Sequence, residues 1–201
     1  MVLYLLVIFV AMTLISGLNI LLGSETFASY SWWIIIAVVI SVIVEIAISA
    51  IIALIVEKMP NRFFPPTKKL YTVSKKEQKF YEKLGIKSWK DKVWELGGLG
   101  GFRKNKIKDS TNSEYLYQFM IESNKGMTSH IINLFAGFLV IFVLPLKYAL
   151  RIGVPVACIG LLLNFLPILI LRYNLPKLDI AYRRAKRLEE RAETKDNENH
   201  D

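Results

Sequence analysis

Residues 32–56 read WWIIIAVVISVIVEIAISAIIALIV, a run with no lysine or arginine and one acid, Glu45. Crossing a bilayer core as a helix takes about 20 apolar residues, so this stretch reads as a transmembrane helix and the fold as helical and membrane-embedded. Glu45 falls near mid-span, where an ionisable group costs about 2.5 to 3.5 kcal/mol on insertion scales. It must therefore be neutral, paired, or turned toward a polar cavity. Ser41 and Ser49 lie one turn to either side, and Thr13, Ser16 and Asn19 in the preceding apolar stretch are candidate partners. An interhelical hydrogen bond is a simpler reading of Glu45 than catalysis.

The composition agrees with a membrane protein. The 201 residues are 53% hydrophobic, yet they include 26 Lys+Arg against 17 Asp+Glu, for a net charge of +9. The mean hydropathy is +0.37. A soluble domain does not combine these figures, whereas an integral membrane protein with its charges outside the lipid does. No Lys or Arg precedes Lys58, and residues 58–130 and 172–201 are dense with them. The positive charge thus reports topology and contact with anionic headgroups. Nucleic-acid binding is discounted because the basic residues flank apolar spans without a recognition motif. Cys158, the single cysteine, cannot form an internal disulfide and reads as a small packing residue.

Three further apolar segments follow the same logic: residues 2–22, 131–146 and 154–171. The first lacks a basic leader and reads as a retained helix. The loop at 23–31 has no basic residue and is expected outside, which places the basic segment from 58 to 130 in the cytoplasm. Segment 131–146 is short and ends at Pro145, and Lys147 and Arg151 fall on the outer side. It either re-enters the membrane or has its basic neighbours snorkel. The expected fold is an all-α integral membrane protein with about four transmembrane helices in two hairpins, 1–57 and 131–171. A cytoplasmic insert of amphipathic helices (58–130) separates them, and a cytoplasmic tail (172–201) with a disordered end from Glu193 follows.

The insert carries local helix signals. Ser74 and Glu77 have capping-box spacing, Phe80 and Leu84 share a face, and Gly85 interrupts the helix. SWKD at 88–91 repeats the signal, with Trp89 and Val93 one turn apart among lysines, as in a helix lying in the headgroup layer. GGLGG at 97–101 reads as a flexible break, not a nucleotide loop. Another helix starts near Asn112 or Ser113, with Tyr115, Leu116, Phe119 and Met120 on one stripe.

If that helix runs on into the third apolar segment, Glu122, Gly126, His130 and Asn133 share one side. An imidazole titrates near neutrality, so His130 at the membrane surface can take a proton from an alcohol attacking an acyl carbon, with Glu122 orienting it. An interfacial histidine with a snorkelling ring fits the same spacing. Asn164 reads as a helix-packing amide or part of a site. Arg172 and Asn174 stand where the last apolar run meets the cytoplasm, suited to a phosphate or an acyl oxyanion, or to positive anchoring.

Several blocks occur in a fixed order: Trp89-Lys90-Asp91-Lys92, Gly100-Gly101-Phe102-Arg103-Lys104, YLYQFMIES at 115–123, His130, Asn164, Pro167 and RYNLPKL at 172–178. In this the chain resembles the glycosyl-4,4'-diaponeurosporenoate acyltransferase family, the membrane acyltransferases of the last step of staphyloxanthin biosynthesis in Gram-positive bacteria. The resemblance covers about residues 75–185, and the WKDK and RYN-x-P-x-L blocks are its most specific parts. It implies transfer of a fatty acyl group from acyl-CoA, a co-substrate, to a sugar hydroxyl of a lipid-linked glycoside. It also implies that Trp89, Glu122, His130, Asn164, Arg172 and Asn174 hold family motif positions. The implied roles are His130 and Glu122 in catalysis, and Arg172, Asn174, Asn164, Trp89 and Lys90 in substrate binding. No cofactor and no metal is implied. The expected partners are membrane lipids, the acyl donor and the glycolipid acceptor, with no nucleic acid, in a multi-pass protein of the cell membrane; oligomerisation is left open.

One departure stands out. Where the family reads Arg-Ala-Glu-x-x-His, this chain has Lys125-Gly126-Met127-Thr128-Ser129-His130, so Met127 replaces a glutamate one turn before the histidine. Glu122 then has to supply the carboxylate, or the activity is altered. The competing class is a non-enzymatic lipid-binding or scaffold protein in which the same polar positions pack helices. A transporter is weaker, since it leaves the insert unexplained.

Overall fold

The computed structural model describes residues 2–22, 31–93 and 109–200, and every regular element among them is helical. Both the loop at 23–30 and the GGLGG segment lie outside the described residues. Five main helices are α1 (Val2–Leu21), α2 (Ser31–Lys58), α3 (Lys75–Lys83), α4 (Ser113–Ala136) and α5 (Val154–His200). Three helical stretches are long and apolar enough to cross a membrane: Ser31–Lys58, Ser113–Val143 and Leu146–Lys195. The apolar part of α1, Leu5–Leu21, is shorter. At 1.5 Å per residue it covers about 25 Å of a hydrocarbon core roughly 30 Å thick.

The helices run through places where hydropathy changes. α4 joins the end of the insert to the third apolar segment without a break and passes directly into a 3₁₀ stretch, Gly137–Val143. Leu144 is then extended, as expected for the residue before Pro145. Likewise α5 joins the last apolar run to the tail. Pro155 closely follows a π-helical stretch, Ala149–Gly153, in the same continuous helical run, and Pro167 and Pro176 each remove one bond, to the Leu163 and Arg172 carbonyls. The tail is helical to His200, where composition suggests disorder. The helix propagates into it from the preceding residues, which include the i,i+4 pair of Arg183 with Asp179 at 3.0 Å.

The chain forms two compact units. Among the described residues, the first comprises 2–22, 31–58, 92–93 and 128–168. Its core contains Ile15, Ile34, Val38, Val140, Ile152, Val156 and Ala157. Much of α2 faces outward, with Ile43, Ile51, Leu54 and Ile55 all more than half exposed. Such a surface suits lipid and would be an aggregation patch in water. Polar groups in this unit bond locally. Thr13 donates to the Phe9 carbonyl and Ser41 to that of Ala37, at 2.9 and 2.6 Å. Asn19 donates to the carbonyls of Ile15 and Arg151, at 2.8 and 3.1 Å. Two of the partners expected for Glu45 on α1, Thr13 and Asn19, are thus engaged elsewhere, because an amide or hydroxyl on a helix reaches its own i−4 carbonyl at no packing cost.

The second unit comprises 59–91, 109–127 and 169–200. Helix α3 starts as its capping signal predicts, with the Glu77 N–H donating to Ser74 Oγ at 3.2 Å. Gly85 ends the turn beyond it at φ 62°, a left-handed conformation that favours glycine. Helix α4 is capped by Asn112, whose Oδ1 accepts from the Tyr115 N–H at 2.8 Å. The predicted stripe packs inward: Phe119 and Met120 meet Leu178, Tyr115 and Tyr182, and Leu116 is fully buried. Phe80 and Leu84 stay exposed while Tyr81 is buried, so α3 offers an apolar edge outward.

Candidate functional site

In the first unit the chemistry centres on His130 of α4 and Asn164 of α5. His130 Nδ1 lies 2.9 Å from Asn164 Oδ1, and Asn164 Nδ2 donates to the Gly160 carbonyl at 2.9 Å. The second bond decides the first. A carbonyl only accepts, so the nitrogen of the Asn164 amide must face Gly160 and its oxygen must face the imidazole. His130 then carries its proton on Nδ1, and in the neutral ring the lone pair sits on Nε2. Asn164 is only 8% exposed, so its amide is held by this geometry and not by solvent. Asn133, three residues on, donates to the Ser49 carbonyl at 3.4 Å and is likewise buried.

In the second unit Arg172 is the centre of a clamp. Its Nε bonds Glu77 Oε1 and, at 3.2 Å, the Tyr81 hydroxyl. Nη1 reaches the Leu70 carbonyl at 2.6 Å, and Nη2 reaches the Thr72 carbonyl at 3.1 Å and Glu77 Oε2 at 2.9 Å. A planar fork with five donors suits such a set, which ties α5 to the segment from Leu70 to Tyr81. The Arg172 guanidinium on Glu77 holds its carboxyl below the usual range. Burial, reinforced by the bond to Glu77, pushes the Tyr81 hydroxyl up to about 12, so Tyr81 stays a donor across the physiological range.

Next to the clamp, two ammonium groups gather on one ring. Lys177 Nζ stands 3.7 Å and Lys90 Nζ 5.8 Å from the Tyr173 centroid, and Lys90 also donates to Asn174 Oδ1 at 3.4 Å. Both fall within cation–π range. This half-exposed cluster is a cationic surface with an amide at its edge, suited to phosphate.

The residues singled out by sequence therefore divide. His130 meets Asn164, and Lys90 meets Asn174. Arg172 is occupied by Glu77 and two carbonyls. Trp89 donates its indole N–H to the Leu84 carbonyl at 3.2 Å, closing the end of α3. Glu122 pairs with Lys125 at 3.2 Å, and the orienting group that His130 finds in its own unit is Asn164. Met127, at the glutamate position, is fully buried. Sequence reasoning missed Glu77 and Tyr81 as the partners of Arg172; an acid in the capping box had already been explained by the cap. Among the described residues, no three His, Cys, Asp or Glu side chains gather to hold a metal ion.

Long apolar helices, a histidine oriented by a buried amide, and a cationic surface on a separate unit describe a membrane-associated protein whose described residues are helical. The chain belongs to the glycosyl-4,4'-diaponeurosporenoate acyltransferase family, whose profile matches residues 60–184, more than half of its length. No curated protein and no solved structure matches it.

Proposed function

We propose that the protein transfers a fatty acyl group from acyl-CoA to a sugar hydroxyl of a membrane glycolipid such as a glycosylated carotenoid acid. The observation that carries this reading is the Asn164 amide, whose orientation favours the Nδ1–H tautomer of His130 and so a lone pair on Nε2. The family membership supplies the reaction type. His130 Nε2 takes the proton of the acceptor hydroxyl as its oxygen bonds to the thioester carbon. The resulting tetrahedral species collapses with cleavage of the carbon–sulfur bond, and the imidazolium returns its proton to the departing thiolate, so the balance closes at ester plus free thiol. Lys90, Lys177 and Asn174 engage the phosphates of the donor, and Arg172 holds the surrounding segment in place.

The topology proposed with it has four spans in two hairpins, with both termini and the insert in the cytoplasm of a multi-pass cell-membrane protein. It is supported by the absence of Lys and Arg before Lys58 and their density in 58–130 and 172–201.

The test is lipid mass spectrometry of host membranes that contain the glycolipid, express wild type or His130→Ala at matched abundance, and receive a labelled fatty acid. A labelled acyl-glycolipid with wild type alone is expected, since a catalytic base contributes about 10²-fold to 10⁴-fold. Coincident profiles would leave a scaffold, a reading that the structural use of Arg172, Trp89 and Glu122 favours.

A further inference from the structure

The Glu45 carboxyl packs directly on Gly160: a Cβ added to that glycine would overlap the Glu45 carboxyl oxygen and carbon. The neighbouring Gly137 is less demanding, since its added Cβ would lie 3.5 Å from Glu45 Oε1, an ordinary contact. Glu45 also faces a cavity of about 20 Å³ lined by Ile8, Met12, Val156 and Leu163, among others. That space is roughly one water in size and otherwise apolar. A carboxyl there fits no hydrophobic packing logic, and its contact with Gly160 is one that no larger residue at 160 permits.

Gly160 is also the residue whose carbonyl holds the Asn164 amide, and Asn164 in turn holds His130. All four residues belong to the first unit, so the sequence of contacts is continuous: Glu45 against Gly160, the Gly160 carbonyl to Asn164, and Asn164 to His130. We propose that Glu45 is a positioning residue for His130, its carboxyl seating the Gly160 turn of α5 and so fixing the Asn164 amide that selects the histidine tautomer. Glu45 touches neither substrate nor the reacting atoms; shape, not charge, is what it supplies. The proposal deepens the acyltransferase reading and rests on it for its kinetic part alone.

The test uses the full chain in lipid nanodiscs, ¹⁵N-labelled at histidine, in a His200→Gln background so that His130 alone is observed. At a pH above the ordinary imidazole range, the unaltered Glu45–Gly160 pair should show the neutral Nδ1–H tautomer. Glu45→Gln, of the same shape, should keep it, and so should Gly137→Ala. Gly160→Ala should give a mixture of tautomers and lower kcat roughly 10-fold to 100-fold with little change in KM, as for a misplaced reacting group. Combining it with Glu45→Ala removes the overlap but also the carboxyl that seats the turn, so the tautomers should stay mixed. If Gly160→Ala fails to fold, Glu45→Ala alone carries the test, since it introduces no overlap and should also mix the tautomers. An unchanged tautomer in both single variants overturns the proposal, as does a loss that follows only the amount of folded protein. A tautomer response in a chain without transferase activity would remove the acyltransferase reading and uphold the positioning role.

Discussion

His130 and Asn164 face each other across two helices at 2.9 Å, and the asparagine is held in its orientation by the Gly160 carbonyl one turn back. The amide does for this imidazole what a carboxylate does in many hydrolytic sites. It holds the ring and chooses the tautomer without adding a buried charge. Asn164→Leu keeps the volume and removes both bonds. Acyl transfer should fall roughly 100-fold, with the protein still inserted and folded. Steady-state kinetics on purified protein, with abundance matched by immunoblot, checks this; a rate within a factor of a few of wild type would mean the amide only packs helices.

Arg172 is expected to matter for structure. Arg172→Lys retains the charge but cannot bond both Glu77 oxygens and the carbonyls of Leu70 and Thr72 together. The clamp is partly exposed, so the loss should be about 2 kcal/mol, in the range for hydrogen bonds to charged groups. The measurement is thermal unfolding in detergent together with limited trypsin digestion, where cleavage between residues 70 and 90 should accelerate in the variant. An unchanged digestion pattern with a large rise in KM would return Arg172 to substrate binding.

The helical membrane class was legible in residues 32–56, because length and apolarity suffice for it. Local signals also carried through: the Ser74 cap, the Gly85 stop and the inward stripe at Leu116, Phe119 and Met120. Glu122, Gly126 and His130 do share the continuous helix that their spacing suggests. What spacing cannot show is the partner across helices. The pairing of His130 with Asn164, of Arg172 with Glu77, and of Glu45 with Gly160 each joins residues far apart in sequence, and in each the deciding fact is a distance. The tail differs for another reason: the residues from Glu193 include Thr, Asp and Asn, which are poor helix formers, and the helix reaches them by propagation from the residues before them, without a new nucleus.

The clamp should also respond to acid. Glu77 is held below the usual glutamate range by Arg172, so the folded state binds its proton more weakly than the unfolded state does. The stability it contributes is present above the unfolded value and is lost as pH falls through the lower folded value. Wild type should therefore lose thermal stability on going from neutral pH to below pH 4.5, and Glu77→Gln should start less stable and show a smaller loss over that window. Parallel pH profiles for the two proteins would mean that Glu77 titrates as a free surface acid.

The lysine cluster separates donor binding from chemistry. Lys90 and Lys177 share the Tyr173 ring, and Lys90 reaches Asn174. If they hold donor phosphates, removing both charges weakens the ground state and the transition state equally, which raises KM and leaves kcat alone. Lys90→Ala with Lys177→Ala should raise KM for acyl-CoA about 10-fold, for the loss of roughly 1.4 kcal/mol of charge-assisted contact. The same variant should flatten the dependence of KM on salt, since exposed charges are screened by ions. Kinetics with acyl-CoA and with a short acyl thioester lacking the nucleotide distinguish the cases. A KM change confined to acyl-CoA assigns the cluster to the phosphates. An equal change for both thioesters would make the lysines part of the fold, and no change for either would leave them as contacts to lipid headgroups.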